Sequence, residues 1–221
     1  MEIDKEDENE PPGLVVKVSD HLVKLSKKSR AIGREFYKTK NESGVVADDL
    51  DPLNEDGHEI MKGLIWKYPK RVLILLTARC ASYCRFCTRR RICDIKDSCL
   101  TRKQIENICN YLANNKELNE VVISGGDLLV EEKQLIFFIS RLVKIKNIKI
   151  IRIHTKVPVS DPDMIGEKFY KCLTGIKKQA VYVSIHFEHP DELSKKTLKV
   201  IERLRHTGAI LLSQSVFLKE K

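Results

Sequence analysis

The sequence predicts an α/β fold, a partial parallel (β/α) barrel, and three observations predict it. Apolar runs rich in β-branched residues recur at 71–77, 120–124, 148–154, 180–186 and 209–217. Helical stretches with one apolar face separate them. Cysteine-rich, glycine-rich and histidine-bearing segments follow those runs in order, at the strand ends where such barrels carry their chemistry. Five strands fall short of the eight of a full barrel, which takes about 250 residues. The expected barrel is therefore incomplete.

Residues 1–50 read as an N-terminal tail and helical lead-in, and 51–221 as the core domain. The first dozen residues are acidic and end in Pro11-Pro12-Gly13, the pattern of a mobile start. Residues 20–36 suit a basic helix with Leu22, Val23 and Leu25 on its apolar side, and 41–57 a polar, turn-rich lead-in. The run at 71–77 opens the sheet, with little polar alternation in it or in the later runs, as in strands buried on both faces. Thr101-Arg102-Lys103-Gln104 is a capping box, and Ile105, Ile108, Cys109 and Leu112 follow at helical spacing. Helices are expected again over 131–146, 163–176 and 190–207, the last stopped by Gly208.

Composition narrows the function. The chain has 221 residues, 42% of them hydrophobic and 32% charged. No run is long enough for a membrane span and the acidic start is no signal peptide, so a cytoplasmic protein is expected. The net charge of +9 is mostly lysine spread along helices, which argues for solvated faces and against a nucleic-acid patch. Seven cysteines, an odd number, argue for reduced thiols rather than a disulfide framework.

Cys80, Cys84 and Cys87 follow the first run, spaced so that one loop can wrap three thiolates around a small inorganic cluster. A four-iron cluster takes four cysteine ligands, so three leave one iron open for a substrate or cofactor. The competing reading is a zinc site with Cys93 or Cys99 as fourth ligand. Cys109 and Cys172 fall on helices and read as buried thiols. Ser124-Gly125-Gly126-Asp127 follows the second run, Arg152-Ile153-His154-Thr155-Lys156 closes the third, His186-Phe187-Glu188-His189 follows the fourth, and Ser213-Gln214-Ser215 lies in the fifth.

On these residues, with Asp51-Pro52-Leu53, Tyr68-Pro69-Lys70-Arg71 and Thr88-Arg89-Arg90-Arg91, the chain from about 51 to 219 resembles radical S-adenosylmethionine (SAM) enzymes of the lysine 2,3-aminomutase group. The resemblance implies that Cys80, Cys84 and Cys87 hold a [4Fe–4S] cluster and that SAM chelates its open iron. An electron from the cluster would then generate a 5′-deoxyadenosyl radical, within an isomerase that shifts an amino group by one carbon. Phe86 would pack near the adenine, Gly125, Gly126 and Asp127 would lie at the SAM amine, and His154, Thr155 and Gln214 would complete the SAM site.

The group also carries pyridoxal phosphate (PLP). By the resemblance Tyr68 and Arg71 lie near its phosphate, and Arg89 clamps the substrate carboxylate. In the group the last barrel strand, the C-terminal region and the lysine that anchors PLP fall downstream of Lys221, and Lys219 and Lys221 are not in that lysine's context. The resemblance implies an amino acid, lysine or a protein's lysine residue, as substrate and an electron donor as partner, while the open barrel edge, with its unpaired backbone and apolar surface, predicts association with another chain. Two alternatives remain: an inactive or split-gene fragment of such an enzyme, and a zinc- or RNA-binding module.

Overall fold

A computed structural model describes residues 14–39, 51–93 and 98–217. The acidic start, residues 41–50, and Lys219 and Lys221 lie outside the described residues. One sheet of seven strands organises the chain: β1 (Glu59–Met61), β2 (Leu64–Tyr68), β3 (Arg71–Thr77), β4 (Glu120–Gly125), β5 (Ile150–Thr155), β6 (Ala180–His186) and β7 (Ile210–Gln214). Spatial order equals sequence order. The pairs from β3 to β7 are parallel, whereas β1, β2 and β3 pair antiparallel. The sheet is not closed, and β1 and β7 are its two edges.

The five expected strands are present, and the β1–β2 hairpin is an addition to them. Helices α3 (Arg102–Asn114), α4 (Glu132–Leu142), α6 (Glu167–Gly175) and α7 (Lys195–Arg205) follow β3, β4, β5 and β6 in turn. The expected capping box starts α3, with Thr101 Oγ1 accepting from Gln104 N and Gln104 Oε1 accepting from Thr101 N at 2.8 Å. Such a cap is worth about 1 kcal/mol. Ile105, Ile108 and Leu112 of α3 are fully buried against Val72, Ile74 and Leu76 of β3 in one continuous core.

β4 is buried at every position from Val121 to Ser124, as expected, whereas β5 and part of β6 alternate. On β5, Ile151, Ile153 and Thr155 are buried, while Arg152 and His154 are only half-buried. Tyr182 and His186 on β6 repeat the pattern. One face of the sheet is therefore sealed by helices and the other lines a partly open lumen. A barrel left open wets that inner face, and polar residues with period two follow.

The N-terminal helix is also split. Ser19 caps α1 (Asp20–Ser26), and buried Ser29 stands at the N-cap of a separate α2 (Arg30–Phe36). Leu22, Ile32 and Phe36 form a small second core against which Cys84 packs. This lead-in is thus part of the site. No helix among the described residues is long and apolar enough to cross a membrane.

Candidate metal centre

The loop after β3 crosses the carboxyl ends of the strands and carries Cys80, Cys84 and Cys87, all free and partly exposed. Main-chain and side-chain bonds from the lead-in hold it. Tyr83 N donates to Lys17 O at 2.9 Å, Arg85 N to Glu35 O at 2.7 Å, and Ser19 N to Ser82 Oγ at 2.9 Å. Lys17 Nζ donates to Cys80 O at 2.8 Å. Cys87 N turns back onto Cys84 O at 3.1 Å. A loop of this length without regular structure needs such outside partners to hold its thiols in place.

The thiols lie close enough to sense one another. Burial pushes Cys80 up, and Asp127, Cys84 and Cys87 push it further. Burial also carries Cys84 to about 12, against the pull of the Lys156 ammonium. Cys87 moves the other way, to about 6, lowered first by the neighbouring Cys93 thiol and then by Arg89 and Arg90, while Cys93 Sγ itself donates to Arg89 O at 3.5 Å. Cys93 is therefore adjacent to the trio. Among the described residues, however, no three Cys, His, Asp or Glu side chains converge closely enough to hold a single metal ion.

The end of β4 locks onto this loop. Gly126 N donates to Thr77 O at 2.6 Å and Asp127 N to Arg79 O at 2.7 Å. Gly125 sits at φ +120°, and a Cβ on Gly126 would overlap Arg79 O. Both positions need glycine: one for its conformation, the other for the approach of two backbones. The paired glycines and the cysteines thus share one rim.

Asp127, buried, accepts from Thr155 Oγ1 at 2.6 Å, Lys156 N at 2.6 Å, Val157 N at 2.9 Å and Leu129 N at 3.2 Å. Four donors fill a carboxylate's acceptor capacity. Asp127 and Thr155 therefore latch β4 to β5 and to the short helix α5 (Val157–Ser160).

Arg89 reaches the same rim. Its Nε and Nη2 grip Glu55, at 3.0 and 2.7 Å, and its Nη1 lies 3.3 Å from Ser124 Oγ. Arg91 is held by Asp51 at 3.0 Å and Asp56 at 2.9 Å. The acidic stretch 51–56 is thus the counter-charge of the arginine run.

Inside the lumen, Phe86 meets His186 edge to face at 6.0 Å, and His186 Nε2 lies 2.7 Å from Glu188 Oε1. His154 is pushed down to about 4 by burial and by the Arg89 and Arg152 charges, so it is neutral at pH 7. Ser184 Oγ lies 3.5 Å from Gln214 Oε1 on β7.

The pattern of the Radical SAM superfamily matches residues 74–212. The chain belongs to this superfamily. It is 39% identical over 174 residues to L-lysine 2,3-aminomutase of Acetoanaerobium sticklandii, an alignment covering 78% of this chain and 42% of that protein. It is 35% identical over 190 residues to L-lysine 2,3-aminomutase of Clostridium subterminale, covering 85% and 45%. Glutamate 2,3-aminomutase of Clostridioides difficile is 33% identical over 172 residues, covering 77% and 40%. The chain spans under half the length of these relatives.

Two expected residues of this radical SAM chain stand apart from the cysteine rim. Tyr68 and Arg71 lie at the amino end of β3, where Arg71 stacks on Tyr68 at 5.1 Å and pairs with Glu120 at 3.7 Å. Six residues of strand place them about 20 Å from Thr77. A group touching both ends would have to run along the lumen.

Lys156 was visible at the end of the third run, but its partners were not. Lys156, 8% exposed, places Nζ 3.1 Å from Glu35 Oε2 and 2.7 Å from Glu192 Oε1, both carboxylates fully buried. Burial opposes the ammonium, yet Cys84, Glu192 and Glu35 outweigh it and raise its pKa. The triad ties α2, α5 and the β6–α7 connection to the loop beside Cys84. Its members are scattered through the sequence, so only the charge-rich composition could have hinted at them.

Proposed function

We propose that this chain binds a [4Fe–4S] cluster through Cys80, Cys84 and Cys87 and SAM at the open iron, as the radical-generating portion of an amino-acid 2,3-aminomutase. The observation that supports it is the trio of free cysteines on one loop fastened to Gly126 and Asp127 by backbone hydrogen bonds, within a radical SAM chain. The donor set fits. Three cysteines on one loop, spaced three residues and then two, can surround a cluster and leave one iron open. When bound, the cluster and SAM supply a carbon-centred radical, and PLP supplies the carrier of the migrating amino group.

The chain's own residues position and exclude. Asp127 and Thr155 set the height of the β4 and β5 ends, so that Gly125 and Gly126 meet the cysteine loop without a gap. Phe86 and His186 wall the lumen with aromatic surface, keeping water from the reacting centre. His154, neutral, offers a hydrogen bond without charge, and Gln214 offers an amide from the facing edge. Glu55 fixes the Nε–Nη2 edge of the Arg89 guanidinium, and a substrate carboxylate would take Nη1 in place of its long bonds to Ser124 Oγ and Gly125 O. Tyr68 and Arg71 are the candidate contacts of a PLP phosphate at the far end of the lumen. β7 stands at the edge of the open sheet, where its outer backbone groups can pair with a further strand.

The reading is tested by reductive cleavage of SAM. Iron-loaded, reduced protein should release methionine and 5′-deoxyadenosine, separated by chromatography, and Cys84→Ser should release neither. Iron-loaded protein that leaves SAM intact would contradict the assignment.

A further inference from the structure

A second feature lies on the outer side of the cysteine loop. A cavity of about 750 Å³ opens between α1, the start of α7 and the loop, with Cys80 and Ala81 in its wall. None of Phe86, Gly125, Gly126, His154 or Gln214 lines it, so it is distinct from the lumen site. Its cations are Lys17, Lys24, Arg79, Lys195 and Lys196, against the carboxylates of Asp20, Asp161 and Asp163.

Two of the cations are paired: Arg79 with Glu131 at 2.6 Å and Lys196 with Asp163. Lys17 is bound to Cys80 O and lies over the Tyr83 ring. Lys24 and Lys195 face solvent and have no carboxylate partner among the described residues. Lys27 and Lys28, also exposed, extend the positive field beyond α1, and Lys199 extends it one turn along α7.

We propose that this basic concavity is the docking surface for an acidic one-electron carrier protein, which delivers its electron to the cluster through the Cys80 wall. The proposal rests on the cluster reading above. The step balances as a single electron transfer: the reduced flavin or iron–sulfur carrier is oxidised by one electron, and the cluster is reduced by one. No bond or proton changes hands. Electron transfer falls steeply with distance, so the productive surface is one where a ligand-bearing residue reaches a wall open to solvent. Cys80 does so here, and Lys17 binds its carbonyl directly. Carrier encounters are small and transient, and complementary charge governs their rate more than their affinity.

The test follows reduction of the reconstituted cluster anaerobically by its absorbance, with two donors: reduced flavodoxin, an acidic carrier, and photoreduced deazaflavin, a small one. Iron per chain is measured first, so failure to form a cluster is seen separately from failure to dock. The double variant Lys24→Glu/Lys195→Glu should slow reduction by flavodoxin about tenfold at low salt, and the gap should close as salt screens the surface. Deazaflavin reduction should be unchanged, as should both rates in the control Lys144→Glu/Lys146→Glu, which lies off the cavity. Equal flavodoxin rates in the two doubles would overturn the proposal. So would a Lys24→Glu/Lys195→Glu protein that loses RNA binding while its flavodoxin rate stays at the wild-type value.

Discussion

Replacing Lys156 by methionine removes one buried ammonium and leaves the Glu35 and Glu192 carboxylates facing each other. Breaking a buried pair from one side costs about 3–5 kcal/mol. Glu192 keeps Glu188 N at 2.6 Å as a donor, which moderates the cost. A loss of about 4 kcal/mol is therefore expected. With a urea slope of about 2.5 kcal/mol per molar, the midpoint drops by about 1.5 M.

The assay is urea unfolding of the cluster-free chain, followed by fluorescence of the single tryptophan, Trp66, packed edge-on to Tyr111 at 6.2 Å. Adding Glu35→Gln and Glu192→Gln should restore most of the loss, because no orphan charge is then left. The pH dependence carries a sign. The lysine pKa is raised above its ordinary 10.5, so its contribution is complete below that value and is lost only as pH climbs through the elevated one. Wild-type stability should thus show no lysine step between pH 7 and 9. A change under about 1 kcal/mol in the methionine variant would refute the reasoning, since that is the scale of solvated ion pairs.

Asp127→Asn should cost about 3 kcal/mol in the same unfolding assay, because an amide presents hydrogens to donors that now meet a carboxylate; a loss below 1 kcal/mol would show the latch to be unimportant. Gly126→Ala should lose about 2 kcal/mol and bind less iron, since its methyl meets the Arg79 carbonyl; full iron at unchanged stability would contradict that. His154 has its pKa lowered from 6.5 to about 4, so the unfolded chain takes up its proton first as pH falls. Stability should decline between pH 6.5 and 4, by at most about 3 kcal/mol, and His154→Phe should remove that slope.

Local patterns were legible in the sequence and long-range pairings were not. The runs at 71–77 and 180–186 became β3 and β6 with the same bounds, because buried β-branched runs between turn signals have few other solutions. Thr101 and Gln104 announced α3 through a cap spanning four residues. The β1–β2 hairpin escaped notice because strands of three and five residues carry too little pattern. Pro162 and Pro190 each begin a single 3-10 turn, which delays α6 to Glu167 and α7 to Lys195. Cys80, Cys84 and Cys87 were visible as a motif. Glu55, Glu35 and Glu192 were not, because a lone carboxylate in a chain that is 32% charged has no local signature.

The central claim is tested most directly by counting metal and sulfide per chain after anaerobic reconstitution, in the wild type and in single serine variants of Cys80, Cys84, Cys87 and Cys93. The account predicts about four irons and four sulfides, lost when Cys80, Cys84 or Cys87 is changed and retained in Cys93→Ser. One zinc without iron, or iron that departs with Cys93 as readily as with the other three, would contradict it.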